Sequence, residues 1–178
     1  MRGIKPFVLI VVLFSLQAHA MEGMSSSMEQ MRMQKRFGFG FSAAGPLSVL
    51  GLEFDFNITE QLSVGGGIGT GLDYSTFMVK GKYLLLGKWV SPYFAAGLAR
   101  WWTGGTKEEK LSPSVLANKF LDGEDLRDGF SVFIFYPAVG VQFMHPIGIA
   151  VFVEAQYLFK MVSFANGTYA GLGAHWYF

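Results

Sequence analysis

Residues 37–56 read FGFGFSAAGPLSVLGLEFDF, and the spacing within this stretch decides the fold. Phe37, Phe39 and Phe41 alternate with Gly38, Gly40 and Ser42. Leu50, Leu52, Phe54 and Phe56 then alternate with Gly51, Glu53 and Asp55. A period of two sends successive side chains to opposite faces of a sheet. One face is therefore bulky and apolar, and the other is glycine plus charge.

The same partition continues to the last residue. A third strand sets Leu62, Val64 and Ile68 against Ser63, Gly65, Gly67, Gly69 and Asp73. A fourth sets Phe77, Val79, Tyr83 and Leu85 against Lys80 and Lys82, with Met78 and Leu84 diluting the polar face. The fifth is the least regular; its spacing places Phe94, Ala96 and Leu98 outward and Tyr93, Ala95 and Gly97 inward. The sixth ends with Val139, Val141 and Phe143 against Ala138, Gly140 and Gln142. The seventh sets Ile149, Val151, Val153, Ala155 and Tyr157 against Ala150, Glu154 and Gln156. The eighth sets Ala170, Leu172, Ala174, Trp176 and Phe178 against Gly171, Gly173, His175 and Tyr177.

A soluble sandwich also alternates, so the choice rests on other features. Most segments are near ten residues or longer, the length a tilted strand needs to cross a bilayer. In a sandwich the bulky face would pack on a second sheet. In a membrane it meets lipid, while glycine and charge line a narrow lumen. Tyr74, Trp89, Trp101, Trp102 and Trp176 fall near strand ends, where an interfacial aromatic girdle is expected. If the chain starts on the periplasmic side, the second, fourth and sixth connections are periplasmic and short. The fifth, about residues 103–129, is the long outer loop, as in outer-membrane barrels. The expected fold is thus all-β: an eight-stranded antiparallel up-and-down transmembrane β-barrel over residues 36–178.

The N-terminal region reads differently. Arg2 and Lys5 precede an apolar run at residues 7–16, and Ala18-His19-Ala20 offers a small-x-small cleavage site. Residues 1–20 are expected to be a cleaved signal peptide. A membrane anchor is the alternative, but the run is shorter than the ~17–25 residues of a span. Residues 21–35 are polar and Met-rich, and are expected to be a flexible periplasmic segment. Removing residues 1–20 leaves 12 basic against 13 acidic side chains, which gives no attraction to nucleic acid. The chain has no Cys, so disulfides, thiolate metal sites and cysteine nucleophiles are all excluded.

The terminal Gly173-Ala174-His175-Trp176-Tyr177-Phe178 is similar to the C-terminal assembly signal of outer-membrane barrels, in which Gly, an aromatic and a terminal Phe recur at this spacing. Here Leu172 stands where a polar residue is usual. Pro92-Tyr93-Phe94-Ala95-Ala96-Gly97 is similar to Pro-Tyr strands of the same superfamily. Over residues 36–178 the chain resembles the small eight-stranded barrels of the OmpA transmembrane-domain and OmpW type. The resemblance implies location in the cell outer membrane, contact with outer-membrane lipid and lipopolysaccharide, and recognition of Gly173, Trp176 and Phe178 by the barrel-assembly machinery.

The inner faces collect Glu53, Asp55, Lys80, Lys82, Gln142, Glu154, Gln156 and His175. Unpaired charges in a narrow lumen are costly, so Lys80 and Lys82 are expected to pair with some of Glu53, Asp55 and Glu154. Such a network is either a plug fixing the cross-section or a polar path for a small solute. His145 and His175 have no adjacent serine, so no catalytic residues and no enzyme activity are expected. Met21, Met24, Met28, Met31 and Met33 could ligate Cu(I), and the acidic run at residues 122–128 could take Ca²⁺. Irregular spacing in the first and the lack of EF-hand order in the second favour neither, and no metal or cofactor is expected. The apolar part of the long loop would fold over the mouth or touch lipopolysaccharide. The leading expectation is a structural or surface-interaction protein. A narrow channel for small or hydrophobic solutes is the second reading, and a lipid A-modifying enzyme the third. Oligomeric state is not legible.

Overall fold

A computed structural model describes residues 27–71, 73–85, 87, 89–105, 121 and 128–178. The described residues form one α-helix and eight strands: α1 (Ser27–Gln34), β1 (Phe37–Ala43), β2 (Leu50–Asn57), β3 (Leu62–Thr70), β4 (Ser75–Leu84), β5 (Val90–Thr103), β6 (Phe130–Met144), β7 (Ile149–Lys160) and β8 (Asn166–Tyr177). Each strand pairs antiparallel with its neighbours in sequence. β1 also pairs with β8, so the sheet closes into a barrel without edges. At the seam Phe178 N donates to Phe37 O at 2.8 Å.

The bulky face points outward. Phe37, Phe39 and Phe41 are 52–56% exposed, and Leu52, Phe54, Ile68, Val139, Val153 and Leu172 are exposed with them. A closed cylinder with this belt cannot hide its phenylalanines between two sheets. Apolar area on this scale belongs in contact with lipid. The ambiguous β5 follows its expected parity, with Tyr93 and Ala95 buried and Phe94 and Leu98 exposed.

Three details depart from the expectation. The strands range from seven residues in β1 to 15 in β6, so the short ones fall below the expected length. β1 ends early because the chain turns into the barrel at the 3₁₀ turn Gly45–Leu47, with positive φ at Ala44, Gly45 and Ser48. The β6–β7 ladder runs Phe135↔Phe159 and resumes at Ala138↔Gln156, skipping Tyr136 and Pro137. Pro137 has no N–H to give, which breaks the ladder there.

The structure describes part of the segment that precedes the barrel. Residues 21–26 and 1–20 lie outside the described residues, but Ser27–Gln34 is helical. The helix is docked at the end of the barrel where β1 begins and β8 finishes, here the inner end. Arg32 is fully buried, and Met31 packs against Met144, Ala150 and Tyr177. A short polar helix without an apolar stripe is not predictable from periodicity; tertiary contacts form it.

Candidate functional site

The lumen holds every polar residue expected there. Glu53, Asp55, Lys80, Lys82, Gln142, Glu154, Gln156 and His175 are all buried. Lys80 Nζ donates to Glu53 Oε2 at 2.9 Å and lies 4.0 Å from Glu154 Oε1. Lys82 Nζ donates to Asp55 Oδ2 at 2.8 Å and to Gln142 Oε1 at 3.0 Å. His175 Nε2 stands 3.3 Å from Glu53 Oε2, and Gln156 Nε2 donates to Glu154.

Glycine makes these pairs possible. Glu53 and Asp55 sit on β2, and Lys80 and Lys82 on β4, so each pair spans β3. Gly67 lies beside Glu53, and Gly65 beside both Asp55 and Lys80. A Cβ at Gly67 would lie 3.2 Å from Glu53 Cγ, and one at Gly65 would lie 3.1 Å from Asp55 Oδ1. Side chains on β3 would occupy the space that the ion pairs cross.

Tyrosines complete the network. Tyr93 donates to Glu154 at 2.7 Å, and Tyr177 donates to Asp55. Lys80 lies over the Phe152 ring at 5.0 Å, and Lys82 over the Tyr93 ring at 5.5 Å. A carboxylate that accepts from both a lysine and a phenol keeps partners after leaving water. The inward parity of Tyr93 and Tyr177 was legible in the sequence; their partners on other strands were not.

Above the network, toward the outer end, the lumen is apolar. Leu47, Tyr74, Met78, Ala99, Trp101, Leu121, Phe130, Val132, Ile134, Tyr136 and Leu158 form one buried cluster. Trp101 Nε1 donates to Pro46 O at 2.7 Å, tying β5 to the inturned 3₁₀ turn. Ser48 Oγ and Tyr74 Oη share a 2.5 Å hydrogen bond, and Thr76 Oγ1 donates to Leu47 O at 3.1 Å. Burial raises the Tyr74 hydroxyl above its ordinary range, because its ionised form would lose water.

The aromatic girdle is corrected at these positions. Tyr74 and Trp101 are 4% and 1% exposed and fill the outer mouth, whereas Trp176 is 65% exposed on the wall. Parity explains it, since Trp101 follows Tyr93, Ala95, Gly97 and Ala99 on the inward face of β5. Leu121 is the one residue of the long loop's interior that is described, and it lies in this cluster; residues 106–120 and 122–127 lie outside the described residues. The acidic run at residues 122–128, weighed as a Ca²⁺ ligand set and not favoured, falls almost wholly among them. For the Cu(I) reading, Met21 and Met24 are likewise outside, while Met31 is buried and Met33 half-buried.

Of the three residues expected to form an assembly signal, Gly173 faces the Phe152 ring inside, and Trp176 and Phe178 stand exposed at the inner rim. His145 is exposed in the turn after β6, 6.1 Å from the Trp89 ring. Among the described residues no cluster of His, Asp and Glu has metal-binding form.

No protein-family model and no curated protein matches the chain. Solved structures do. The N-terminal β-barrel domain of Pseudomonas aeruginosa OprF matches with a TM-score of 0.58 at 12% identity, over 80% of this chain and 96% of that one. Ail, the attachment invasion locus protein of Yersinia pestis, matches with a TM-score of 0.42 at 14% identity, over 81% and 97%. The closed eight-strand topology together with the OprF match gives this chain the fold of a small, OmpA-like outer-membrane β-barrel.

Proposed function

We propose that the chain is a structural or surface-interaction protein of the outer membrane, delivered there after cleavage of residues 1–20 and anchored by a barrel that does not conduct. One observation carries this reading: the lumen is filled at three successive levels. α1 closes the inner mouth with Arg32, the paired charges occupy the middle, and the Leu47–Tyr74–Trp101 cluster closes the outer mouth. An eight-stranded interior is just wide enough for side chains to fill. The wall then serves as an anchor, and what faces outward carries the interaction. At the outer end Met161, Val162 and Phe164 are 54%, 83% and 77% exposed, which suits contact with the acyl and headgroup region of lipopolysaccharide. Gly173, Trp176 and Phe178 are proposed to be read by the assembly machinery during insertion. An enzymatic role has no support in the network, whose carboxylates are tied to lysines and phenols.

Planar-bilayer recording of the purified full chain tests the reading. No steady conductance is expected. Defined single-channel steps that disappear on Lys80→Ala or Glu154→Ala would replace the anchor by a polar path.

A further inference from the structure

The inner mouth is closed by a side chain that no strand supplies. Arg32 belongs to α1, outside the wall, yet is completely buried inside the mouth. Its Nε donates to Glu60 O at 2.6 Å. Asn57 at the end of β2 grips the helix's last turn, with Nδ2 donating to Lys35 O at 3.1 Å and to Arg32 O at 3.4 Å. Lys35 Nζ donates to Ile147 O at 3.0 Å in the 145–148 turn. Met31 supplies an apolar contact, against Met144, Ala150 and Tyr177. Thus two cationic side chains, one amide and one thioether hold the helix, largely through backbone carbonyls. Eight residues are too few for an independently stable helix, where ~12–15 are already marginal. Docking and helix formation are therefore one event.

The charges facing Arg32 fit that role. Asp55 on β2 attracts the guanidinium, and Lys82 on β4, tied to the same carboxylate, opposes it. In the network three carboxylates, Glu53, Asp55 and Glu154, face two lysines, Lys80 and Lys82. Arg32 is the third cation, supplied from outside the strands. Of the guanidinium nitrogens only Nε is hydrogen-bonded, while Nη1 and Nη2 are buried without a partner; enclosure of the planar group, whose shape an ammonium does not reproduce, is what the mouth supplies.

We propose that the inner mouth, formed by Asp55, Asn57, the Glu60 carbonyl and Tyr177, is a guanidinium-binding socket, filled in cis by Arg32. Ser27–Gln34 is its built-in stopper. The proposal rests on the membrane-barrel reading, and the two fail in different ways.

The chain has no cysteine, so Gln30→Cys, exposed on α1, gives a unique nitroxide site. The labelled full chain is refolded into phospholipid vesicles, and insertion is checked by heat-modifiable gel migration. A chain that never inserts fails the barrel reading. In inserted protein, a slow label that becomes mostly fast on Arg32→Ala supports the socket. A label that is fast with Arg32 present, or slow without it, overturns the proposal. Arg32→Lys keeps the charge and carries the test alone if Arg32→Ala does not insert. Release of the label by Arg32→Lys supports guanidinium recognition; full retention overturns it. With Arg32→Ala inserted, methylguanidinium should raise the thermal midpoint more than methylammonium at equal ionic strength; equal effects overturn the proposal.

Discussion

Lys80 Nζ and Glu53 Oε2 lie 2.9 Å apart, with both side chains only 3% exposed, and the pair bridges β4 and β2 over a glycine-lined β3. Such a pair is a commitment: either partner alone inside the cylinder is a charge without water. Lys80→Met strands Glu53 and weakens the hold on Glu154, and is expected to cost about 3–5 kcal/mol. The double variant Lys80→Met, Glu53→Met should recover much of that loss, because Glu154 keeps Tyr93 and Gln156 as donors. Urea unfolding in phospholipid bilayers, followed by tryptophan fluorescence, measures both.

Tyr93 isolates the contribution of a single phenol. Tyr93→Phe preserves the ring beneath Lys82 but removes the 2.7 Å bond to Glu154. The expected loss is about 1–3 kcal/mol, read from the same unfolding curves.

Glycines on the two faces should respond in opposite ways. A Cβ at Gly38 would stand 2.7 Å from Tyr177 Cε1, and that ring is fixed by its bond to Asp55. Gly38→Ala is expected to cost about 1–3 kcal/mol by overpacking. Gly81 points to the belt with nothing within 4 Å of its Cβ position. Gly81→Ala should be neutral or stabilising by up to about 1 kcal/mol, since it removes backbone freedom from the unfolded chain.

The belt itself can be tested by charge. Val153, 63% exposed on the outward face of β7, should lose about 2–4 kcal/mol of stability as Val153→Lys if it contacts the hydrocarbon core. Val162→Lys, in the 161–165 connection at the outer end, should change stability little. Equal effects at both positions in vesicle-embedded protein would contradict a lipid-facing belt.

Period two made the wall legible, because burial in a closed sheet follows parity almost without exception. The same rule put Lys80, Lys82 and their carboxylates in one lumen, since only pairing makes buried charge tolerable. Parity also held the answer for Trp101, but its place near a strand end suggested an interface instead. What it could not carry was Arg32. That side chain enters from a polar helix with no periodic signal, and only the closed mouth gives it a place. The early end of β1 was hidden for a similar reason: Leu47 turns inward because a cluster on β4, β5 and β6 receives it, and those strands are distant in sequence.

The bonds between Phe37 and Phe178 make the last junction of the ring equivalent to every other junction. The cylinder therefore has no geometric first or last strand. A circularly permuted chain, joined from 178 to 37 and opened between Gly104 and Asp128, would retain all eight ladders. It would also evict α1 and bury the terminal aromatic within a continuous backbone. Spontaneous insertion of that chain into lipid, set against its insertion in cells, would separate what the wall requires from what the cell recognises.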